Sequence, residues 1–296
     1  MSANKDVGGH LSHPGQGGNS LVFVHTGLIP GDTGIACKFG VQIPGNARLG
    51  LPTVQGLVTL LDPDTGVPLA CLDGAAITTI RTAHGVVAAA ELLARRDAKK
   101  VAIIGSGAQA RELALCMPQI RQLSETALWS PTLENRERLG RELRQAGGST
   151  VRVVDTARAA VEGADIIVTA TLSQTPVVEG AWLAQGATVL TLGSYSSDRR
   201  ELDLEATARA DLVVVDQVAK ATAQAGCVLE AFGAGVLEPA QLVPVGDILT
   251  GIHPGRTSPG QTIIFHSLGF GVQDAAAAWT AYRGAMANNF GTDVPF

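Results

Sequence analysis

The residues best suited to chemistry lie at Gly105-Ser106-Gly107-Ala108-Gln109-Ala110, directly after the apolar run VAII and before the helix-like stretch AQARELALCM. A glycine turn between a buried strand and a helix can cradle a pyrophosphate. Gly105 permits the tight turn, Gly107 lets the backbone approach the anion, and Ala110 allows close helix–sheet packing. The helix start adds unpaired N–H groups and a partial positive charge. An acid about twenty residues further on usually reads an unmodified ribose in such a domain. Here that stretch is Leu128-Trp129-Ser130-Pro131-Thr132, with no carboxylate at its tip. The expectation is a nicotinamide dinucleotide, NADP(H) favoured over NAD(H), with Ser130, Thr132 and Arg136 meeting the 2′-phosphate. A second reading has Ser130 and Thr132 capping the helix LENRERL, which suits either coenzyme.

Thr169 and Thr171 close another apolar run, DIIVTAT, at a strand end where open α/β sheets place ligands. They either contact the cofactor's ribose or nicotinamide or serve as structural hydroxyls. Lys38 stands out in a different setting, the apolar run GIACKFGVQI. A lysine there is hard to explain structurally unless its strand lies on an open edge.

Two kinds of scaffold must position these residues. Residues 1–19, rich in glycine and poor in large apolar side chains, read as a flexible leader in which His10 and His13 are solvated polar residues. From Ser20 short apolar runs alternate with turn signals at Pro30-Gly31-Asp32, Pro44-Gly45-Asn46 and Asp62-Pro63-Asp64-Thr65-Gly66, the pattern of antiparallel strands with a hairpin around DPDTG. The helix AAITTIRTAHGVVAAAELLARR follows. From Lys99-Lys100 onward, strands and helices alternate through VAII, ETALWS, TVRVV, DIIVTAT, TVLTLGS and DLVVVDQ, which implies crossovers and a parallel sheet covered on both faces. The boundary is expected near residue 97.

Composition narrows the classes further. With 46% hydrophobic and 17% charged residues over 296 positions, the chain is not mainly disordered. A net charge of -5 argues against a nucleic-acid partner. No apolar run reaches the roughly eighteen residues of a membrane span, and the four cysteines form no CxxC pair, so neither a metal site nor a disulfide framework is suggested. Reduced, mostly buried thiols and a cytoplasmic address are expected.

Several ordered segments resemble the ornithine cyclodeaminase/mu-crystallin family, from about Ser20 to about Ala287: Ala36-Cys37-Lys38 followed by IPGN, GLPTVQG at Gly50–Gly56, DPDTGVPLACLDG, Ile80-Arg81-Thr82-Ala83, GSGAQA, TATLSQTPV, RRELD after Gly193, and HSLGFGVQDAAAA. The resemblance implies a Rossmann-type doubly wound parallel α/β sheet over residues 98–274. It also implies a smaller α+β substrate and dimerisation domain, residues 20–97 with 275–296, and a homodimer. Hydride would pass between a nicotinamide and the α-carbon of a small amino acid or its imine. Lys38 matches the family's active-site lysine, an ammonium that binds a carboxylate, polarises a C=N group or delivers a proton. Arg81 matches the arginine whose planar fork holds the substrate carboxylate. Asp274 matches a position near the active site, or else is a charge at a helix N-terminus. Gly193 joins the cofactor residues, while Gln55 and Asn46 either line the pocket or hold a turn.

Two departures modify what the resemblance implies. Cyclodeaminases carry an aspartate just after the strand-ending glycine, where it manages the amine protons of ring closure and ammonia loss; here the place holds Ser194-Tyr195, with Asp198 displaced into the next loop. Family members also begin with a longer segment bearing a second carboxylate-binding arginine, and no arginine precedes Arg48 here. Either the leader replaces that segment, the start is short, or Lys38 and Arg81 alone hold the carboxylate. The expected function is an NAD(P)H-dependent reductase of a small α-imino acid or cyclic ketimine. The alternatives are an ornithine- or lysine-type cyclodeaminase using bound NAD+, an amino-acid dehydrogenase, and a non-catalytic NADP(H)-binding protein like the crystallin branch.

Overall fold

A computed structural model describes residues 7–15 and 20–295. The chain forms two compact units, dividing at Thr82/Ala83 and at Leu268/Gly269. The first unit holds strands β1 (Val7–Pro14), β2 (Leu21–Leu28), β3 (Ile35–Gln42), β4 (Val54–Leu61) and β5 (Pro68–Asp73), hydrogen-bonded in that order as one antiparallel sheet. The DPDTG hairpin forms because the Asp62 carboxylate accepts from the N–H groups of Asp64 and Thr65 and from the Thr65 hydroxyl. Asp73 then starts α1 (Gly74–Leu93) by accepting from the N–H groups of Ala75 and Ala76.

Antiparallel register sorts side chains onto two faces. One row, His10–His25–Lys38–Val58, runs across β1 to β4, and the next row, Leu11–Val24–Phe39–Leu57, points to the opposite face. Ala36, Val58 and Leu60 of the first face join Ile77 of α1 in a core with Ala275 and Ala278 of the chain's last helix. The other face leaves Leu11, Phe39 and Leu57 exposed.

The second unit contains eight parallel strands: β6 (Lys100–Ile104), β7 (Glu125–Trp129), β8 (Thr150–Val153), β9 (Ile166–Thr169), β10 (Thr188–Thr191), β11 (Leu212–Val215), β12 (Leu242–Pro244) and β13 (Ile263–His266). Their order is β12-β11-β13-β10-β9-β6-β7-β8. Connecting helices are α2 (Ala108–Cys116), α3 (Leu133–Ala146), α4 (Ala157–Val161), α5 (Leu204–Ala208), α6 (Val218–Gln224), α7 (Gly226–Gly233) and α8 (Val245–Leu249); α9 (Gly271–Asn288) is the last helix and belongs to the first unit. Each central strand is buried on both sides: Val101 and Ile103 of β6 pack into one apolar cluster with Ile166, Val168 and Leu190, whereas Ala102 and Ile104 pack into another with Ile167 and Val189. This is the Rossmann-type doubly wound α/β sheet, accompanied by a separate antiparallel α+β unit.

Three expectations change. Residues Val7–Pro14 of the leader form β1, fully paired with β2, because ladder pairing needs backbone groups rather than large side chains; residues 1–6 and 16–19 lie outside the described residues. The dividing points replace those expected at 97/98 and 274/275, because Ala83, Val86, Ala90 and Leu93 of α1 pack into the parallel-sheet core while residues 269–274 run with α9. The four cysteines are free thiols, but only Cys116 and Cys227 are buried; Cys71 is exposed. Among the described residues no helix is long and apolar enough to cross a membrane.

The start of α9 is seated on β2 at two glycines. A Cβ on Gly27 would fall onto the Gly271 carbonyl, and one on Gly271 would fall onto the Thr26 carbonyl. Gly27→Ala is expected to destabilise the protein by about 1–3 kcal/mol, the usual cost of forcing backbones apart in a packed site, measurable as a lower urea midpoint with an unchanged slope.

Candidate active site

In the antiparallel unit the first-face row brings charge together. Asp274, one turn into α9, receives Lys38 Nζ on Oδ1 at 2.7 Å and His25 Nδ1 on Oδ2 at 3.0 Å, and Arg81 Nε of α1 lies 3.0 Å from Oδ1. Lys38 also donates to the Thr78 hydroxyl at 3.2 Å and stands 5.5 Å from the Phe23 ring centre. Gln273 Oε1 accepts from Arg81 Nη1 at 2.8 Å. Lys38 and Asp274 are each 1% exposed, and the side chains of His25 and Arg81 are 8% exposed. Lys38 is therefore no surface lysine.

Burial opposes a charge on Asp274. The Arg81 guanidinium, the His25 hydrogen bond and the Lys38 ammonium outweigh it and hold the carboxyl well below the usual range. The carboxyl is thus held in its ionised form at neutral pH by the groups around it. His10 extends the row, its ring 4.6 Å from that of His25.

The glycine turn has the geometry its sequence suggests. Gly105 adopts φ +128°, and a Cβ there would lie 2.5 Å from the Ala170 carbonyl. Gly107, the N-cap of α2, faces open space, and no side chain caps this helix. Gly107 and Ala108 are exposed, Gln109 is half-buried, and Ala110 is fully buried beneath the turn. An uncapped helix start with an open glycine fits a bound pyrophosphate.

At the neighbouring strand end, Ser130 is buried and shares a 2.8 Å hydrogen bond with Ser106. Thr132 is the N-cap residue of α3, but its side chain makes no capping hydrogen bond, so the capping alternative is not the one realised. Arg136 donates to the Ser130 carbonyl and pairs with Asp155.

Thr169, Thr171 and Gly193 converge on a residue that sequence reasoning missed. Glu201, fully buried, accepts from the Thr169 hydroxyl (2.8 Å), the Thr171 N–H (2.7 Å) and hydroxyl (2.8 Å), and the Gly193 N–H (2.6 Å). Burial pushes its carboxyl up, and the donors hold it back. Of the two readings for these threonines, the structural one has its partner in place. The motif RRELD marked the segment, but a glutamate flanked by Arg200 and Leu202 gives no sign of burial. His25 had no signal beyond one histidine in the run LVFVHTG. His266, pushed down to about 4 by burial, is a neutral imidazole bonded to the Thr191 hydroxyl at 2.9 Å. Asn46 holds a turn through the Pro52 carbonyl, and Gln55 lies half-buried on β4. Ser194 is packed against Cys227 at 3.0 Å, and the exposed Asp198 is engaged by Ser196 and Gln174.

A sequence profile described as the ornithine cyclodeaminase/mu-crystallin family matches residues 29–289. A Delta(1)-pyrroline-2-carboxylate reductase of Bacillus cereus is 32% identical over 263 residues, covering 88% of this chain and 81% of that protein. The structure of Thermococcus litoralis Delta(1)-pyrroline-2-carboxylate reductase in complex with NADH and L-proline superposes with a TM-score of 0.94 at 29% identity, covering 98% of this chain and 90% of that one. An archaeal alanine dehydrogenase dimer with bound NAD has a TM-score of 0.91 at 27% identity, over 99% and 89% of the two chains.

Removing the shared carboxylate strands two buried cations. Asp274→Asn is expected to cost about 3–5 kcal/mol of stability at neutral pH. Because the folded carboxyl titrates below its unfolded value, its contribution is complete above about pH 4 and fades as pH falls further. Denaturation midpoints measured from pH 7 to pH 2 should therefore converge for wild type and variant in acid.

Proposed function

The chain belongs to the ornithine cyclodeaminase/mu-crystallin family, and from that premise we propose that it is an NAD(P)H-dependent reductase of a small α-imino acid or cyclic ketimine. The observation that carries this reading is the buried cluster itself, in which a lysine and an arginine, Lys38 and Arg81, converge on the Asp274 carboxylate. An ammonium and a guanidinium gathered in one buried place suit an anionic ligand, and the α-carboxylate of an imino acid supplies it.

In this reading Arg81, steadied by Gln273, binds the substrate carboxylate. Lys38 holds a proton at Nζ toward the imine nitrogen, and Asp274 keeps that ammonium charged and aimed. His25 fixes the second oxygen of Asp274, so the carboxylate cannot rotate away from Lys38. The parallel-sheet unit binds the dinucleotide through Gly105, Gly107, Ala108, Gln109 and Ala110. When bound, the nicotinamide supplies the hydride. NADP(H) is favoured over NAD(H), supported by a β7 end without its own acid and by the Arg136 guanidinium there, which pairs with the solvent-exposed Asp155.

The reductase reading is preferred to a cyclodeaminase because Ser194 and Tyr195 stand where the lyase aspartate is expected, and Glu201 is held by four donors. The antiparallel unit doubles as a dimerisation surface. Leu11, Phe39 and Leu57 form an exposed apolar row of the kind that marks interaction sites, and a structurally similar alanine dehydrogenase is a dimer.

Two measurements test this reading. Purified protein is expected to oxidise NAD(P)H in a panel of preformed cyclic imines and of keto acids with amines, and Lys38→Ala is expected to lose turnover while coenzyme titration is unchanged. Full activity of Lys38→Ala would remove that residue from the mechanism. For assembly, Phe39→Glu with Leu57→Glu should convert a dimer into a monomer by light scattering, and an unchanged mass would place the interface elsewhere.

A further inference from the structure

Three groups gather where β7 ends at Trp129. Buried Ser130 is tied to Ser106 of the glycine turn at 2.8 Å. Arg136, in the first turns of α3, donates from Nη1 to the Ser130 carbonyl at 3.3 Å and pairs through Nη2 with Asp155 Oδ1 at 2.6 Å. Trp129 Nε1 donates to the Asp155 carbonyl at 3.1 Å. Asp155 follows β8, the strand hydrogen-bonded beside β7 in the parallel sheet. Its carboxylate therefore stands at the next strand end, beside the position where β7 carries no acid of its own.

The pair is unequally buried. The Arg136 side chain is 10% exposed and that of Asp155 is 95% exposed. The cation is thus fixed in the wall of the unit, and its Nε is buried without a hydrogen-bond partner among the described residues. The anion stands in water on the open side of that cation. An anionic group that pairs with the same guanidinium nitrogen competes with the Asp155 carboxylate.

We propose that Asp155 limits the preference for the phosphorylated coenzyme in this chain, by occupying the guanidinium that a 2′-phosphate would use. This rests on the reading of the parallel-sheet unit as a dinucleotide-binding domain. A ribose diol donates hydrogen bonds, which a carboxylate accepts. A 2′-phosphate only accepts at neutral pH, so it is attracted by Arg136 and repelled by Asp155. The two side chains pull coenzyme preference in opposite directions on one ligand group. Arg136 favours the phosphorylated coenzyme, and Asp155 limits the margin. Asp155 is suited to the limiting role because its exposure lets it move aside at little cost to folding.

The test is direct titration of NADH and of NADPH, followed by quenching of tryptophan fluorescence, with wild type, Asp155→Asn and Arg136→Gln. Circular dichroism and melting temperature establish that each variant is folded. Asp155→Asn is expected to raise the preference for NADPH over NADH by about tenfold, the weight of one charge-assisted contact, and Arg136→Gln to lower it. A preference ratio in folded Asp155→Asn within about twofold of wild type overturns the proposal while leaving the domain reading intact. Binding of neither coenzyme to wild type overturns both.

Discussion

One carboxylate holding two cations out of water is the constraint on which the antiparallel unit turns. Asp274 and Lys38 are 236 residues apart in sequence and 2.7 Å apart in space. A buried ion cluster contributes little net stability compared with apolar packing, but leaving it half-assembled is severely unfavourable. The return of the C-terminal helix to the N-terminal sheet is therefore an electrostatic necessity as much as a packing one. The mutual close approach of Gly27 and Gly271 brings the helix start near enough for Asp274 to reach β2 and β3.

The parallel-sheet unit solves a similar problem in the opposite way. Glu201 is as deeply buried as Asp274, but its charge meets hydroxyl and amide donors instead of cations. Those donors come from the ends of β9 and β10, so the carboxylate ties the carboxyl edge of the sheet to the loop leading into α5. The contrast has a chemical meaning. A carboxyl held by neutral donors organises backbone, whereas a carboxylate held between cations gathers positive groups in one place. Anion binding belongs with the second arrangement.

Legibility followed the range of the forces involved. The glycine turn was readable because its requirements are local: a short apolar strand, small residues at fixed spacing and a helix start. The Asp62 hairpin was readable for the same reason, since every hydrogen bond that shapes it lies within five residues. Strand β1 was not, because Val7–Pro14 carries two glycines and a proline and gains its structure from backbone groups of β2. The partner of Thr169 and Thr171 was hidden too, lying about thirty residues away behind a loop. Lys38 was conspicuous because it broke an apolar pattern, but the resemblance supplied its role and the fold alone supplied its carboxylate neighbour. His25 broke its own run in the same manner and passed unnoticed, since a single imidazole among apolar residues is compatible with many buried environments.

The two rows of side chains on the antiparallel sheet carry a consequence for how this chain can vary. Lys38 and Phe39 are consecutive residues assigned by the pleat to opposite faces, one toward the charge cluster and the other toward solvent. An insertion or deletion of a single residue within β3 ahead of Lys38 would exchange the faces, exposing the lysine and turning the phenylalanine toward Asp274. A change of two residues would preserve the assignment. Length changes within these strands are therefore sorted by parity, since only even ones keep each side chain on its own face.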